Sequence, residues 1–291
     1  MQRPLPPAAL TGLLHPGRQC REHRTKLLCP GGCRDTFPLL DLPDTAVERV
    51  LGSVSGREDR RALRLAFKRG RAAVDRSILA VRRGYEGLSQ AQLSALVGAP
   101  WRRLQRLEIW NCQVGAEGAA ALAGAAWPGL VALNLRHNDR LGDAGVTALA
   151  AADWPCLETI DLGFCGLGPP GAAALAAAAW PRLKALTISS NGLGDQGAAA
   201  LAAGTWTALE TLFFSSNRIG SEGAAALAAG TWPSLLTLSL NRNELGAAGA
   251  AALAAGAWPS LHTLSLSRNN IGPGGAAALA AGSWSRLWSL S

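Results

Sequence analysis

The stretch Trp180-Pro-Arg-Leu-Lys-Ala-Leu-Thr-Ile-Ser-Ser-Asn191-Gly-Leu-Gly-Asp-Gln-Gly197, followed by Ala-Ala-Ala-Leu201-Ala-Ala-Gly-Thr205 and a second Trp at 206, carries two periodicities in one short unit. Leu186 and Ile188 alternate with Ala185, Thr187 and Ser189, which gives a short strand with one apolar face. Asn191 leaves the strand where the backbone turns, and its amide is suited to satisfy polar groups of adjacent coils in a buried ladder. Gly194 and Gly197 suit a tight turn and close backbone approach. The alanine-rich run that follows reads as a short helix with Leu201 pointing inward. Trp, followed by Pro in five of its eight occurrences at this position, then begins the loop back to the next strand. Trp recurs at 101, 127, 154, 180, 206, 232, 258 and 284, at steps of 26 residues with a single step of 27. A fixed period of this length marks a solenoid. One unit cannot bury its Leu face alone, so stacking of units creates the core.

Outward from this unit the same positions repeat. Leu183, Leu186, Ile188, Asn191 and Leu193 become Leu130, Leu133, Leu135, Asn138 and Leu141 (one residue late) in the second unit. In the seventh they are Leu261, Leu264, Leu266, Asn269 and Ile271, whereas Cys112 and Cys165 take the Asn position in units one and three. There they read as small, weakly hydrogen-bonding substitutes rather than as metal or redox groups. The pattern resembles the leucine-rich repeat family, and its Gly-x-x-Gly-Ala-Ala-Ala-Leu half looks like a short version of the subtype in ribonuclease inhibitors and NOD-like receptors. The resemblance implies an α/β solenoid over 87–291, a horseshoe arc with parallel inner strands and short outer helices. It would hold seven full repeats and a truncated eighth. Leu93-x-x-Leu96 matches the helical half of a unit and would serve as an N-terminal cap. At Trp288-Ser289-Leu290-Ser291 the chain stops midway through a strand without a polar capping unit, which reads as an incomplete array rather than an open edge for a partner.

Among the 291 residues, charge is unevenly placed. Residues 1–86 hold 17 Lys and Arg against nine Asp and Glu, while 87–291 hold eleven of each sign, so the net charge of +8 belongs to the N-terminal third. The hydrophobic fraction of 48% is raised by alanine tracts, and no run of Leu, Ile, Val and Phe is long enough to cross a bilayer. Leu5 to Leu14 is too interrupted by Pro and Gly for a secretory segment. The six Cys form no regular disulfide framework, so the chain reads as cytoplasmic and reduced, with nucleus, cytoskeleton or ciliary axoneme as alternatives. Cys20, His23, Cys29 and Cys33 are zinc-ligand types, but their spacing fits no finger. No metal is assigned there, and residues 1–36 are expected to be disordered.

Residues 37–86 are a different object. Leu42-Pro43-Asp44 precedes an i, i+3, i+4, i+7 stripe of Val47, Val50, Leu51 and Val54, a helix begun by Pro and Asp. A second stripe, Leu63, Ala66, Phe67, Gly70 and Val74, is backed by Arg60, Arg61, Arg64, Lys68 and Arg71. Together with Leu40-Asp41 and Val74-Asp75 this resembles the F-box, the helical module that docks onto the adaptor subunit of a cullin ubiquitin ligase. The resemblance implies adaptor contacts by Leu42, Pro43, Val47, Val50 and Leu51. Gly70 departs from the pattern, standing where family members commonly carry Trp, which weakens the helix. Two other readings of these helices are a cap on the first coil and a basic face for nucleic acid or anionic lipid. The second lacks aromatic stacking residues, and the arc adds no basic stripe.

The inner surface of the arc is built from strand residues that alternate with the buried ones. Its first three strands are charged and aromatic, its last four mostly Ser and Thr with Phe213. Exposed aromatic and Arg side chains are what protein-binding hot spots use, so binding is expected at Arg106, Glu108, Trp110, Arg136, Asp161 and Phe164. Packing of Trp110 on the N-terminal helices is the structural alternative. His137 and Asp161 fall on neighbouring strands without a nucleophile, and there is no G-x-x-x-x-G-K-[ST] loop, so no enzyme and no cofactor is expected. The functional expectation is a protein-interaction module acting as the substrate-recognition subunit of an SCF-type ubiquitin ligase, with its target protein on the concave face. A cytoskeletal or axonemal scaffold, or an inhibitor or sensor of the ribonuclease-inhibitor or NOD-like kind, are the alternatives.

Overall fold

The computed structural model describes residues 26–28, 80–84, 93, 96–98 and 104–291. Its strands form one ten-stranded sheet in sequence order. These are β1 Lys26–Leu28, β2 Ala80–Gly84, β3 Arg106–Trp110, β4 Ala132–Asn134 and β5 Thr159–Asp161. The sheet continues with β6 Ala185–Thr187, β7 Thr211–Phe213, β8 Thr237–Ser239, β9 Thr263–Ser265 and β10 Ser289–Leu290. From β2 onward every pair is parallel. Between consecutive strands from β3 lie α1 Ala116–Ala123, α2 Gly142–Ala150, α3 Pro169–Ala176, α4 Gly194–Ala202, α5 Ser221–Ala229, α6 Gly246–Ala254 and α7 Gly272–Ala280. One strand and the helix after it make a coil, numbered one to seven from β3.

The core sits between the two layers. Leu107, Leu133, Ile160, Leu186, Leu212, Leu238 and Leu264 stand in register down the sheet and are buried. They meet a second column, Leu122, Leu149, Leu175, Leu201, Leu227, Leu253 and Leu279, buried on the inner side of the helices. Strands repeat about every 4.8 Å, whereas packed helices stand about 8–10 Å apart, so stacking bends the array toward its sheet. The alanines on the helix flanks keep that spacing near its lower limit.

Asn ladders join the coils. Asn191 Oδ1 accepts the N–H groups of Cys165 and Leu167 from the preceding coil, at 3.0 and 3.1 Å. Its Nδ2 donates to the Leu162 carbonyl of that coil and to Ile188 of its own, at 3.0 and 2.9 Å. Asn138, Asn217, Asn243 and Asn269 repeat this bridging, so backbone groups that turn away from the strand stay paired in a dry interior. Cys165 fills the same place with a thiol, donating to the Leu135 carbonyl at 3.2 Å.

Two loop forms lead into the helices. In coils one, three and five, Gly115, Gly168 and Gly220 are extended N-caps. In coils two, four, six and seven, Gly142, Gly194, Gly246 and Gly272 take positive φ. The forms interlock, because Asp143 Oδ1 of coil two accepts Gly168 and Gly171 N–H in coil three at 2.7 and 2.9 Å. Asp195 does the same for Gly220 and Gly223. Each carboxylate thus caps the helix of the next coil, supplying acceptors where a helix start leaves N–H groups unpaired.

The recurrent Trp closes the bottom of the core in two ways. Trp206, Trp232, Trp258 and Trp284 donate Nε1–H to the carbonyl five residues back, at 2.7 to 2.9 Å. Each has Gly two residues before it, where a Cβ would stand 2.5 to 2.7 Å from the indole nitrogen. Trp154 and Trp180 have Ala there instead, and their buried N–H groups find no partner. Their rings stack on each other at 6.4 Å.

In the N-terminal third, Lys26–Leu28 falls inside the segment expected to be disordered and Ala80–Gly84 inside the helical module. Both are strands of the sheet, β1 antiparallel to β2 and β2 parallel to β3. Ala-Val-Arg-Arg-Gly lacks the apolar alternation of a repeat strand, which is why the sequence does not announce it. Residues 93 and 96–98 are helical, and Leu93 is buried. The F-box-like residues Leu42, Pro43, Val47, Val50, Leu51 and Gly70, and the cluster Cys20, His23, Cys29 and Cys33, lie outside the described residues.

Candidate functional site

Side chains reach the free face of the sheet from four rows. Glu108, Asn134, Asp161, Thr187, Phe213, Ser239 and Ser265 are in register in one row, while Arg106 starts a row that continues with Ala132 and Thr159. Two residues past the Glu108 row come Trp110, Arg136 and Gly163, then Ser and Asn. The last row, just before the ladder position, is Asn111, His137, Phe164, Ser190, Ser216, Arg242 and Arg268. Every member of it has φ between 54° and 61°. Its N–H groups bond across to the next coil, as His137 does to the Gly163 carbonyl at 2.8 Å and Phe164 to Ser189 at 3.1 Å. Left-handed backbone favours Gly, yet none of the seven is Gly, so each coil spends conformational energy to hold a side chain at this edge.

On coils two and three that row and its neighbours form a cluster. His137 and Phe164 stack with ring centroids 4.3 Å apart and planes at 15°. The Arg136 guanidinium carbon lies 5.1 Å from the Phe164 centroid, within cation–π range. Phe164 nonetheless stays 39% exposed, so a large apolar surface is held in one orientation and left in solvent. Asp161 lies beside it, its Oδ1 accepting the Gly163 N–H at 2.9 Å. Burial pushes its carboxyl above the ordinary Asp value, against the Gly163 N–H, Arg136 and His137, which favour the charged form. An open depression of about 370 Å³ adjoins the stack, lined by Asn111, Gln113, His137, Asp139, Arg140 and Phe164.

Of the six residues expected to bind a target, Arg136, Asp161 and Phe164 meet in this cluster. Glu108 is half-buried one strand beyond Asn134, and Trp110 is half-buried with Gly84 of β2 in register beside it. Arg106 is exposed at the far start of β3 and stands apart from the rest. His137, which the sequence suggests is a solvated polar group, is the stacking partner of Phe164. Gln113, Asp139 and Arg140 are additions from the loops. The signal for Asp139 and Arg140 in the sequence is the one irregular Trp step, 27 residues from Trp127 to Trp154, whose extra residue lengthens the loop there, whereas Gln113 carries no such signal.

Beyond coil three the free face is bonded to itself. Ser215 and Ser239 hydroxyls pair at 3.0 Å, Asn241 Nδ2 donates to Ser239 Oγ at 3.1 Å, and Asn241 Oδ1 accepts Ser267 N–H at 2.8 Å. Phe213 is 40% exposed there and has no ring or cation contact among the described residues.

Chemistry other than binding has little to work with among the described residues. No group of three or more His, Cys, Asp or Glu is placed to hold a metal ion. Burial pushes the Cys165 thiol up to about 12, so it stays protonated and unreactive at neutral pH. No helix is long and apolar enough to cross a membrane.

The crystal structure of the Rad7 and Elc1 complex in yeast matches with 15% identity over 84% of this chain and 78% of that chain, at a TM-score of 0.26. No curated protein matches. The Leucine Rich repeat model matches at residues 103–123, 130–150, 155–176, 182–202, 207–228, 233–254 and 259–280, which together exceed half of the chain. Each match runs through one strand, one ladder position and one helix of the array, and the chain belongs to the leucine-rich repeat family, whose repeats imply a protein-protein interaction module.

Proposed function

We propose that the chain is a target-binding subunit that holds a protein partner on the free face of coils one to three. The observation that carries this is the exposed Phe164, stacked on His137 and within cation–π range of Arg136 beside an open depression. Rigid, solvent-facing aromatics with Arg beside them are the usual anchors of protein interfaces, because little side-chain entropy remains to be lost on binding. Asp161 lies on the same coil as this anchor, and Glu108, Trp110 and Arg106 extend the polar and aromatic face toward coil one.

The finer reading is a substrate-recognition subunit of an SCF-type ubiquitin ligase. Residues 37–86 would hold the cullin adaptor through Leu42, Pro43, Val47, Val50 and Leu51, and the array would bring the target close, acting by effective concentration. Its support is the F-box-like motif of residues 37–86 ahead of a leucine-rich repeat array. The test is capture of the purified adaptor by the full chain, beside a Leu42→Ala/Pro43→Ala/Leu51→Ala variant of unchanged circular dichroism. Capture lost only in the variant supports the ligase reading. No capture by the wild-type chain removes it and leaves a repeat scaffold that binds its target without delivering it to a ligase.

A further inference from the structure

The edge row ends, on coils six and seven, with Arg242 and Arg268. Both are exposed, both have positive φ (56° and 61°), and they occupy the same position on neighbouring coils. Equivalent positions of adjacent coils stand about 4.8 Å apart at the backbone, so two like charges face each other where cross-strand neighbours repel. Neither is paired with a carboxylate among the described residues, and coils one to seven carry eight basic residues against eleven acidic ones. The cationic edge is therefore a local arrangement rather than a by-product of net charge. Between it and the Phe164 stack lie Ser190 and Ser216, whose short side chains leave the row low in its middle.

Resting on the reading of the array as a target-binding subunit, we infer that this row reads an extended acidic segment of the target. Phe164 and His137 take an apolar side chain, and Arg242 and Arg268 take the carboxylates or phosphates that follow. Four coil steps separate Phe164 from Arg268, about 19 Å, which an extended chain covers in about six residues. Two guanidiniums side by side offer forked donors that match carboxylate and phosphate oxygens, and binding an anion relieves their mutual repulsion.

The probe is a synthetic peptide, Ac-Gly-Trp-Gly-Ser-Gly-Ser-Glu-Glu-Gly-amide, titrated into the full chain by calorimetry at low and moderate salt. Two companion peptides replace the Glu pair by phosphoserines or by lysines. The acidic and phosphorylated peptides should bind and weaken with salt, and Arg242→Ala/Arg268→Ala should lower their affinity by about tenfold or more. Stronger binding of one of these two would identify the source of the negative charge. Equal binding of the lysine peptide, an unchanged affinity in the double Arg variant, or no binding of either anionic peptide would each overturn the inference. The parent reading is judged separately. A target whose capture depends on Phe164 but is indifferent to the double Arg variant would retain that reading while this one fails.

Discussion

Coils one to three and coils four to seven are built on the same period but resolve it differently. The later coils are regular: Asn at every ladder position, Gly two residues before every Trp, indole N–H groups paired, and a free face mostly of Ser, Thr and Asn that bonds to itself, with Phe213, Arg242 and Arg268 standing out of it. The earlier coils are irregular at each of these points. They place Cys at two ladder positions, Ala before Trp, an extra residue in one loop, and two buried indole N–H groups without partners. Their face carries Arg, Asp, His and Phe. A repeat array that depends on nearest-neighbour contacts tolerates such losses in some coils when others are well made. The difference teaches that regularity holds the arc together while irregularity marks where its aromatic anchor sits.

The sharpest way to break this contrast is at the ladder. Asn217→Ala removes the acceptor of Asn191 N–H, leaving it unpaired, and one of the two donors to each of the Ile188 and Ser215 carbonyls. Its cost should be about 3 kcal/mol. Cys165→Ala, which deletes one weak thiol donor and a small volume, should cost about 1 kcal/mol. Urea denaturation of the full chain compares them, and equal losses would mean that the two halves are held alike.

Next comes the Trp seat. Gly230→Ala puts a methyl 2.7 Å from the Trp232 indole nitrogen, breaks its bond to Leu227 and should cost about 2 kcal/mol. The converse change, Ala178→Gly, opens the same space beneath Trp180. Its stability effect should be a few tenths of a kcal/mol, because the regained bond is offset by the flexibility of Gly. The readout is amide-type exchange of the Trp180 indole proton by NMR, which should slow in the variant. Unchanged exchange would show that Gly is not what seats the indole.

The smallest effect concerns charge. Burial raises the Asp161 carboxyl, so the folded protein holds this proton more tightly than the unfolded chain. Stability from this group is complete below its unfolded value and declines as pH rises through the raised one. Asp161→Asn keeps an oxygen for the Gly163 N–H and should therefore raise the denaturation midpoint at neutral pH. The advantage should vanish below about pH 4, where the wild-type carboxyl is protonated in both states. A midpoint lower than wild type at neutral pH would mean that Arg136 and His137 outweigh burial.

Much of this fold is legible in the chain itself. Leu186 and Ile188 announce the strand, Asn191 the ladder, and the 26-residue Trp step the stacking. The site is legible only in part, for a physical reason. His137 and Phe164 are 27 residues apart, and their stacking depends on left-handed backbone at both positions and on the lengthened loop of coil two, none of which follows from residue type. Strands β1 and β2 escape because neither carries the repeat's apolar alternation. The switch from Ala to Gly before Trp is visible in sequence, but its meaning depends on which way the indole turns.

The two exposed phenylalanines offer the most direct measurement. Phe164 is clamped in the cluster of coil three, whereas Phe213, equally exposed, stands among Thr and Ser on coil five. With a target captured by the wild-type chain, binding constants for Phe164→Ala and Phe213→Ala separate the two regions. Phe164→Ala should weaken binding by about thirtyfold, the loss expected of a hot spot near 2 kcal/mol, with Phe213→Ala changing it by less than about fivefold. An equal or larger loss at Phe213 would place the binding face on the regular coils and contradict the division drawn between the two halves.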